Sequence, residues 1–245
     1  MRYIIVTPYF REDQSLLERC LRSVRSQSVP TEHLLVSDGH PQDWLDQSGV
    51  RHLRLDRSHG DFGNTPRGIG AMLAIAEGYD AIGFLDADNW LESTHVETCI
   101  AAYQSHAVDG PVDYVVAKRF MRRPDESILP IIDESNDHHV DTNCFFFYPG
   151  SYPLVPYFGL MPKELSPVGD RIFYQALRQR GLKAAFCEIT TVNYHCMWQN
   201  IYLRLGEQPP EGAKPNIDRA RIQQWLNALS PTERTMVHRM TGITP

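Results

Sequence analysis

The first ninety residues alternate short apolar runs with amphipathic stretches. Residues 3–6, 33–37, 50–55 and 81–85 are apolar or alternating runs that end at polar or turn-forming residues, which predicts buried strands. Residues 14–27 place apolar side chains at helical spacing, and a glycine-punctuated loop over 57–70 leads into a second helix around 72–76. This order of strands and helices predicts an α/β fold with a doubly wound sheet, in which ligands bind at the carboxyl ends of the strands.

The second half of the chain continues the pattern less regularly. A helix after Glu92, strands over 112–117, 142–148 and 183–191, and a helix ending after Arg180 are predicted. Residues 119–141 form a long, proline-broken excursion of a kind that is often functional. The phenylalanines at 145–147 are predicted to be core, and Tyr152, Tyr157 and Phe158 to contact a ligand.

The C-terminal part has its own organisation. Residues 206–216 form a Pro/Gly-rich linker, and an amphipathic helix follows over 217–229. A capping box runs from Ser230 to Glu233 with a proline at the first helical position. We expect these helices to pack either on the body of the chain or on a second copy of it. The second alternative would make the protein a homodimer.

Composition narrows the class of protein. The chain has 245 residues, of which 42% are hydrophobic and 22% charged, enough for one large domain or one domain with an appendage. Its formal net charge of −6 argues against a nucleic-acid partner. Five dispersed cysteines without a Cys-x-x-Cys pair favour a reducing cytoplasm over a disulfide framework or zinc cluster. Neither a signal peptide nor a membrane span is expected.

Polar residues follow three of the predicted strands. Thr7, Pro8 and Tyr9 come after the first, Asp38 after the second, and the Asp86-Ala87-Asp88 motif after the fourth. Each could be an ordinary loop entry, turn or strand-end charge. If the strands are parallel, however, all three groups meet at one edge of the sheet.

The carboxylates of Asp86 and Asp88 raise a question of charge. In an extended backbone they face the same side, and at ~6 Å with an effective dielectric of ~20 they repel by roughly 3 kcal/mol. One explanation is that the two carboxylates are solvated, or that Asp88 begins a turn or caps the next helix. The other is that a divalent cation binds between them and offsets their repulsion.

Other candidate residues have simpler explanations beside the functional one. Asp137, His138, His139 and Asp141 could be metal ligands or part of a solvated loop. Asp170 lies in the first turn of a predicted helix, where a carboxylate is favoured by the helix dipole. His195 lies just past the end of the last predicted strand, where a lone histidine is usually packed or at the surface.

The motifs in order resemble a known family. TPYFRE, VSDG, GNTPRGIG, FLDADN, GDRIFYQAL and NYHCMW resemble, from Met1 to Trp198, a glycosyltransferase family 2 enzyme with the GT-A fold, whose nucleotide-binding sheet is Rossmann-like. The resemblance implies a nucleoside diphosphate sugar as donor and a divalent cation, Mn2+ or Mg2+, held against the diphosphate by the Asp-x-Asp motif.

The resemblance also implies roles for individual residues. Thr7, Pro8 and Tyr9 correspond to the nucleoside loop, and Asp38 to the carboxylate that hydrogen-bonds the base. The remaining correspondences are Arg67 near the nucleotide, Asp86 with Ala87 at the ribose or sugar, Asp88 and His195 at the metal, and Asp170 as catalytic base. Three places depart from the family pattern. Phe10 replaces an asparagine, and Gly169 replaces a glutamate. Ser37-Asp38-Gly39-His40 stands where the family commonly has Asp-Asp-Gly-Ser, so one acidic partner is missing.

These implications define the expected function. We expect metal-dependent transfer of a sugar, with inversion, from a UDP-sugar to a carbohydrate or glycolipid acceptor in polysaccharide biosynthesis. Residues 1–205 are expected to form the GT-A domain, with a nucleotide-sugar half (1–118) and an acceptor and catalytic half (119–205), and 206–245 the linker and helical tail. The alternatives are a non-catalytic nucleotide-sugar-binding protein and, less favoured, a nucleotidyltransferase. A phosphatase is disfavoured because its Asp-x-Asp would follow the first strand.

Overall fold

A computed structural model describes residues 1–108, 110–131 and 139–241 of the chain. Its centre is one mixed sheet of eight strands in the order β3-β2-β1-β4-β7-β6-β8-β5. The strands are β1 Tyr3–Tyr9, β2 Thr31–Asp38, β3 Arg51–Leu55, β4 Ala81–Phe84, β5 Trp90–Leu91, β6 Tyr114–Arg122, β7 Phe145–Phe147 and β8 Ala184–His195.

Helices cover the sheet and form the C-terminal part of the chain. They are α1 Gln14–Arg25, α2 Trp44–Gln47, α3 Asn64–Ala76, α4 His95–Ala107, α5 Tyr157–Leu160, α6 Gly169–Gln179, α7 Gln199–Arg204, α8 Arg219–Ala228 and α9 Pro231–Thr241. Short 3-10 helices occur at Thr142–Cys144, Pro149–Ser151 and Lys163–Val168. Within the parts of the chain that the structure covers, no helix is both long and apolar enough to cross a membrane.

The half of the sheet made by β3, β2, β1 and β4 is parallel, as the sequence predicts. Every residue of β1 is buried, because the strand is central and is covered on both faces. One expectation is wrong here: Thr7 and Pro8 do not end the strand but continue it, paired with Leu35 and Val36. Pro8 is tolerated because the ring removes only one backbone donor near the strand end.

The other half contains antiparallel pairings. β7 runs antiparallel to both β4 and β6, whereas β6 and β8 are parallel with register shifts around Lys118. The three phenylalanines of β7 are fully buried, which confirms their prediction as core. Phe158 is also fully buried and stacks on Phe173 with ring centroids 4.1 Å apart, so its prediction as a ligand contact is wrong.

The tyrosines of the same loop are also structural. The hydroxyl of Tyr152 donates to the backbone oxygen of Tyr79 at 2.7 Å, and both Tyr152 and Tyr157 pack partly buried against the main core. Neither lines the pockets described below. That these two tyrosines contact a ligand therefore stays a prediction.

Helix α3 packs unusually close to its neighbours. It begins at Asn64, so half of the segment predicted as a loop is helical. A Cβ atom at Gly70 would lie 2.5 Å from Cγ1 of Val6, and one at Gly68 would lie 2.5 Å from the backbone nitrogen of Gly159. The glycines that suggest a loop in sequence are required instead by helix packing.

The two C-terminal helices pack on the body of the chain. Trp225 and Leu226 of α8 and Val237 of α9 form one apolar cluster with Leu165 and Ile172. The predicted capping box is present: the Ser230 backbone nitrogen donates to Glu233 at 2.8 Å, and the Glu233 nitrogen donates to the Ser230 hydroxyl at 3.3 Å.

Candidate active site

A pocket of about 300 Å3 lies at the carboxyl ends of β1, β2 and β4. It brings together most of the residues singled out by the sequence, because parallel strands deliver the segments that follow them to one edge of the sheet. Of those residues, the pocket is lined by Pro8, Tyr9, Asp38, Arg67, Asp86, Ala87, Asp88 and Asp170. Thr7 and His195 do not line it.

Asp86 is held by two side chains from distant parts of the chain. Nη2 of Arg67 donates to one carboxylate oxygen at 2.6 Å, and Nδ2 of Asn143 donates to the other at 3.0 Å. Arg67 is almost fully buried between the rings of Phe84 and Phe158 and also donates to Asn64. The negative charge of Asp86 is thus matched by a buried guanidinium at the floor of the pocket.

The Asp-x-Asp motif forms a turn. β4 ends at Phe84, and the backbone nitrogen of Asn89 donates to the backbone oxygen of Asp86 at 3.0 Å. The extended backbone considered for this motif from the sequence is therefore wrong. Nη2 of Arg19 fixes the turn by donating to the Asp88 backbone oxygen at 2.8 Å. Both carboxylates nevertheless line the same pocket.

Asp88 has an unusual affinity for protons. Burial, followed by the negative charge of Asp86, raises its pKa to about 7, and the positive charge of Lys214 acts in the opposite direction. A second positive charge beside Asp88 would relieve this repulsion. Carboxylate oxygens are hard ligands of the type that Mg2+ and Mn2+ prefer.

The ligand set for such a cation is small. Across the residues with described positions, no three His, Cys, Asp or Glu side chains are grouped so that they could hold a metal ion. Mg2+ in nucleotide sites is often held by one or two carboxylates together with phosphates and water. Asp88 therefore fits a cation that also binds a diphosphate, whereas Asp86 is already engaged by Arg67 and Asn143.

Thr7 and His195 have other surroundings. Oγ1 of Thr7 is buried and lies 2.8 Å from Nε2 of His33, so its side chain faces the interior. His195 is the last residue of β8, and its backbone nitrogen donates to Oδ1 of Asn89 at 2.7 Å. Its Nδ1 atom is buried without a hydrogen-bond partner within the described parts of the chain, and burial, followed by Arg19, lowers its pKa.

Asp38 is buried and anchors the loop before α3. Its carboxylate accepts hydrogen bonds from the backbone nitrogen of His59 at 3.0 Å and from the Ser58 hydroxyl at 3.2 Å, and Nδ1 of His59 lies 2.7 Å away. The Gly60 nitrogen is at 3.4 Å. The residue expected to bind the base thus also holds one wall of the pocket in place.

Asp170 lies in the first turn of α6, as predicted. One carboxylate oxygen lies 2.8 Å from Nε2 of His139, and the other accepts from the Arg171 backbone nitrogen at 2.7 Å. The side chain of His139 is therefore largely buried, and among the described residues it is not grouped with metal ligands. Asp141 lies in an ion pair with Arg119. Asp137 and His138, considered with them as metal ligands, lie outside the described residues.

A second cavity of about 610 Å3 adjoins the first. The two share the side chains of Asp141, Pro167, Asp170, Tyr194 and Trp198 as a common wall. The second cavity reaches the linker and α8, which supply Asn216, Ile217 and Arg219 to its lining. Asp170 is therefore one of two carboxylates, with Asp141, that lie between two ligand-sized spaces.

The departures from the family pattern have physical partners. The ring of Phe10 packs edge-on against His40 with centroids 4.6 Å apart, so two of the substituted positions contact each other. A Cβ atom at Gly169 would lie 2.9 Å from Nδ2 of Asn64, so that amide takes the space beside Asp170.

Asn143 and Lys214 are among the site residues that escape detection from sequence. Asn143 lies in a segment predicted as strand and instead occupies a 3-10 turn, where it contacts Asp86. Lys214 lies in the predicted linker and lines the first pocket. The only local signal for Asn143 is the Asp-x-Asn spacing to Asp141, whose carboxylate accepts from its backbone nitrogen at 3.0 Å. No local sequence pattern indicates that Lys214 lies at the site.

Comparison with known proteins gives a family and a fold. Residues 4–184 match the family model for glycosyl transferase family 2. No protein of curated function matches the chain in sequence.

Among solved structures, the chain is similar to S. aureus TarS. The match to one TarS structure has a TM-score of 0.58 and 13% identity, covering 96% of this chain and 45% of that one. TarS 1–349 in complex with UDP matches with a TM-score of 0.59 and 13% identity over 100% of this chain and 73% of that one. TarS 1–349 in complex with UDP-GlcNAc matches with a TM-score of 0.59 and 12% identity. That match covers 99% of this chain and 80% of that one. At these identities the likeness establishes the GT-A fold.

Proposed function

Since the chain belongs to glycosyl transferase family 2, we propose that this glycosyltransferase moves a sugar from a UDP-sugar to the hydroxyl group of a carbohydrate or glycolipid acceptor, with inversion at the anomeric carbon. The donor lies in the 300 Å3 pocket, and the acceptor enters the adjoining 610 Å3 cavity. The complexes of the similarly folded TarS with UDP and UDP-GlcNAc support uridine as the nucleoside. Family membership sets aside the nucleotidyltransferase and phosphatase alternatives.

The proposal rests above all on the position of Asp170. Its carboxylate lines both cavities, and the Asp-x-Asp turn lines the donor pocket alone. A general base must reach the acceptor hydroxyl and stand apart from the leaving group. Among the acidic residues of the donor pocket, only Asp141 shares the common wall with Asp170, and Asp141 is paired with Arg119.

The reaction follows as a single displacement. The acceptor oxygen forms a bond to the anomeric carbon while the bond from that carbon to the phosphate oxygen breaks. The hydroxyl proton passes to the Asp170 carboxylate, and the bonding electron pair leaves with UDP. Nε2 of His139, 2.8 Å from Asp170, holds that carboxylate in place.

The growing charge of the leaving group needs compensation. A divalent cation bound by Asp88 would act as a Lewis acid toward the diphosphate. Asp86 orients the ribose or sugar while Arg67 and Asn143 fix its carboxylate. Pro8, Tyr9 and Ala87 form the wall against the nucleoside.

Donor binding is tested by thermal unfolding with UDP and Mn2+. A ligand that binds only the folded chain raises the melting temperature, so we expect a rise with UDP and Mn2+ together that exceeds the rise with either alone. Asp88→Ala should remove the metal-dependent part, whereas Asp43→Ala, an exposed aspartate that lines neither cavity, should keep it. If no nucleoside diphosphate shifts the melting temperature, the donor site is wrong.

Catalysis is tested with Asp170→Asn, which keeps the size of the side chain. We expect UDP release from a panel of UDP-sugars, with simple sugars or water as acceptor, to fall by about 100-fold or more. The UDP-dependent melting shift should stay unchanged because donor contacts are kept. Transfer at the wild-type rate by this variant would refute Asp170 as the base.

A further inference from the structure

The linker before α8 is fastened to the loop that follows β8. Lys214 forms a parallel bridge with Trp198. Its backbone nitrogen donates to the Met197 oxygen at 2.5 Å, and the Gln199 nitrogen donates to the Lys214 oxygen at 3.0 Å. A segment that reads as a flexible linker is therefore fixed by backbone hydrogen bonds on both sides of one lysine.

The side chain of Lys214 lines the donor pocket together with Asp86 and Asp88. Its ammonium nitrogen lies 5.9 Å from the ring centroid of Trp198, whose indole nitrogen donates to the Tyr194 hydroxyl at 2.8 Å. The aromatic ring is thus held still beneath the lysine.

Lys214 carries a positive charge at the edge of the donor pocket. Over the described ranges, no carboxylate forms an ion pair with it, although the chain as a whole carries a net charge of −6. An ammonium group without an ion pair at the edge of a pocket is placed to meet an anion.

We infer that Lys214 binds the diphosphate of the donor, an inference that rests on the proposed function. The lysine ammonium is a compact charge that suits phosphate oxygens, and it also faces the leaving group as that group gains charge. The residue lies beyond position 184, where the family match ends. The donor site therefore includes the segment expected from the sequence to be a linker outside the catalytic domain.

The inference is tested by titrating UDP, in the presence of Mn2+, into the full-length chain and four variants. Lys214→Ala removes the charge and the alkyl stem, Lys214→Met keeps the stem without the charge, and Lys214→Arg keeps a charge. Lys183→Ala removes the same charge from an exposed residue that lines neither cavity. Melting temperatures without ligand report whether each variant stays folded.

We expect Lys214→Ala and Lys214→Met to weaken UDP binding by about tenfold, which corresponds to about 1.4 kcal/mol. Lys214→Arg should recover most of the affinity, and Lys183→Ala should bind as the wild type does. Wild-type affinity in Lys214→Met would overturn the inference, because packing on Trp198 would then explain the position of the lysine. Failure of the unmodified chain to bind UDP or any other nucleoside diphosphate would instead reject the proposed donor site itself.

Discussion

Replacing Arg67 by methionine should reveal how much the floor of the pocket depends on one ion pair. Nη2 of Arg67 lies 2.6 Å from Asp86, and the side chains are 3% and 33% exposed, respectively. Removing one partner of a buried pair typically costs 3–5 kcal/mol because the other charge stays uncompensated, and the partial exposure of Asp86 reduces this to about 2–3 kcal/mol. Methionine keeps the apolar stem against Phe84 and Phe158, so the loss reports the charge and hydrogen bonds.

The assay is a double-mutant cycle in urea. Arg67→Met and Asp86→Asn each leave one group of the pair without its partner, whereas the double variant removes both charges. We expect the double variant to be more stable than the sum of the two single losses predicts, by about 2 kcal/mol. Additivity within about 0.5 kcal/mol would refute the view that the pair is coupled. Met72→Ala, an exposed change on the same helix, serves as the neutral reference.

Two further predictions concern the packing and the pH dependence of the fold. Gly70→Ala places a methyl group 2.5 Å from Val6, so we expect a loss of about 1–3 kcal/mol in urea unfolding; a loss no larger than that of Met72→Ala would contradict the close packing. Burial lowers the pKa of His33 to about 3 and of His95 to about 4, so the unfolded chain gains these two protons below about pH 6.5 while the folded chain does not. Stability should then fall between about pH 6.5 and 4 through His95 and between about pH 6.5 and 3 through His33, by about 2 kcal/mol for each histidine at pH 5. His33→Gln should remove its share; a pH dependence unchanged in that variant would argue against a buried neutral ring.

Much of the parallel half of the sheet follows from local sequence. β1, β2 and β4 are recognisable because their apolar runs are buried on both faces, and parallel strands bring the residues behind them to one edge. That is why the sequence alone suffices to place Asp38, Asp86 and Asp88 together. Asp170 can likewise be placed in the first turn of a helix because the apolar spacing behind it is regular.

What could not be predicted depends on contacts between distant segments. Asn143 reaches Asp86 across 57 residues of sequence, and Lys214 reaches the pocket through a bridge to Trp198. No local pattern encodes such pairings. The start of α3 at Asn64 is hidden in the sequence because glycine and proline normally indicate loops, whereas here the glycines permit close helix packing.

The crowded carboxylate of Asp38 has a consequence for the recognition of a nucleoside in the proposed donor site. A carboxylate offers about four lone-pair sites, and the loop over 58–60 already occupies that number with its backbone and side-chain donors. An arriving base that donates to Asp38 must take the place of one of these donors, so the exchange contributes little net affinity. A base without a donor for Asp38 gains no hydrogen bond by displacing one of the loop's donors. Under the proposed function, tight binding of the donor would then come from the diphosphate end rather than from the contact of the base with Asp38.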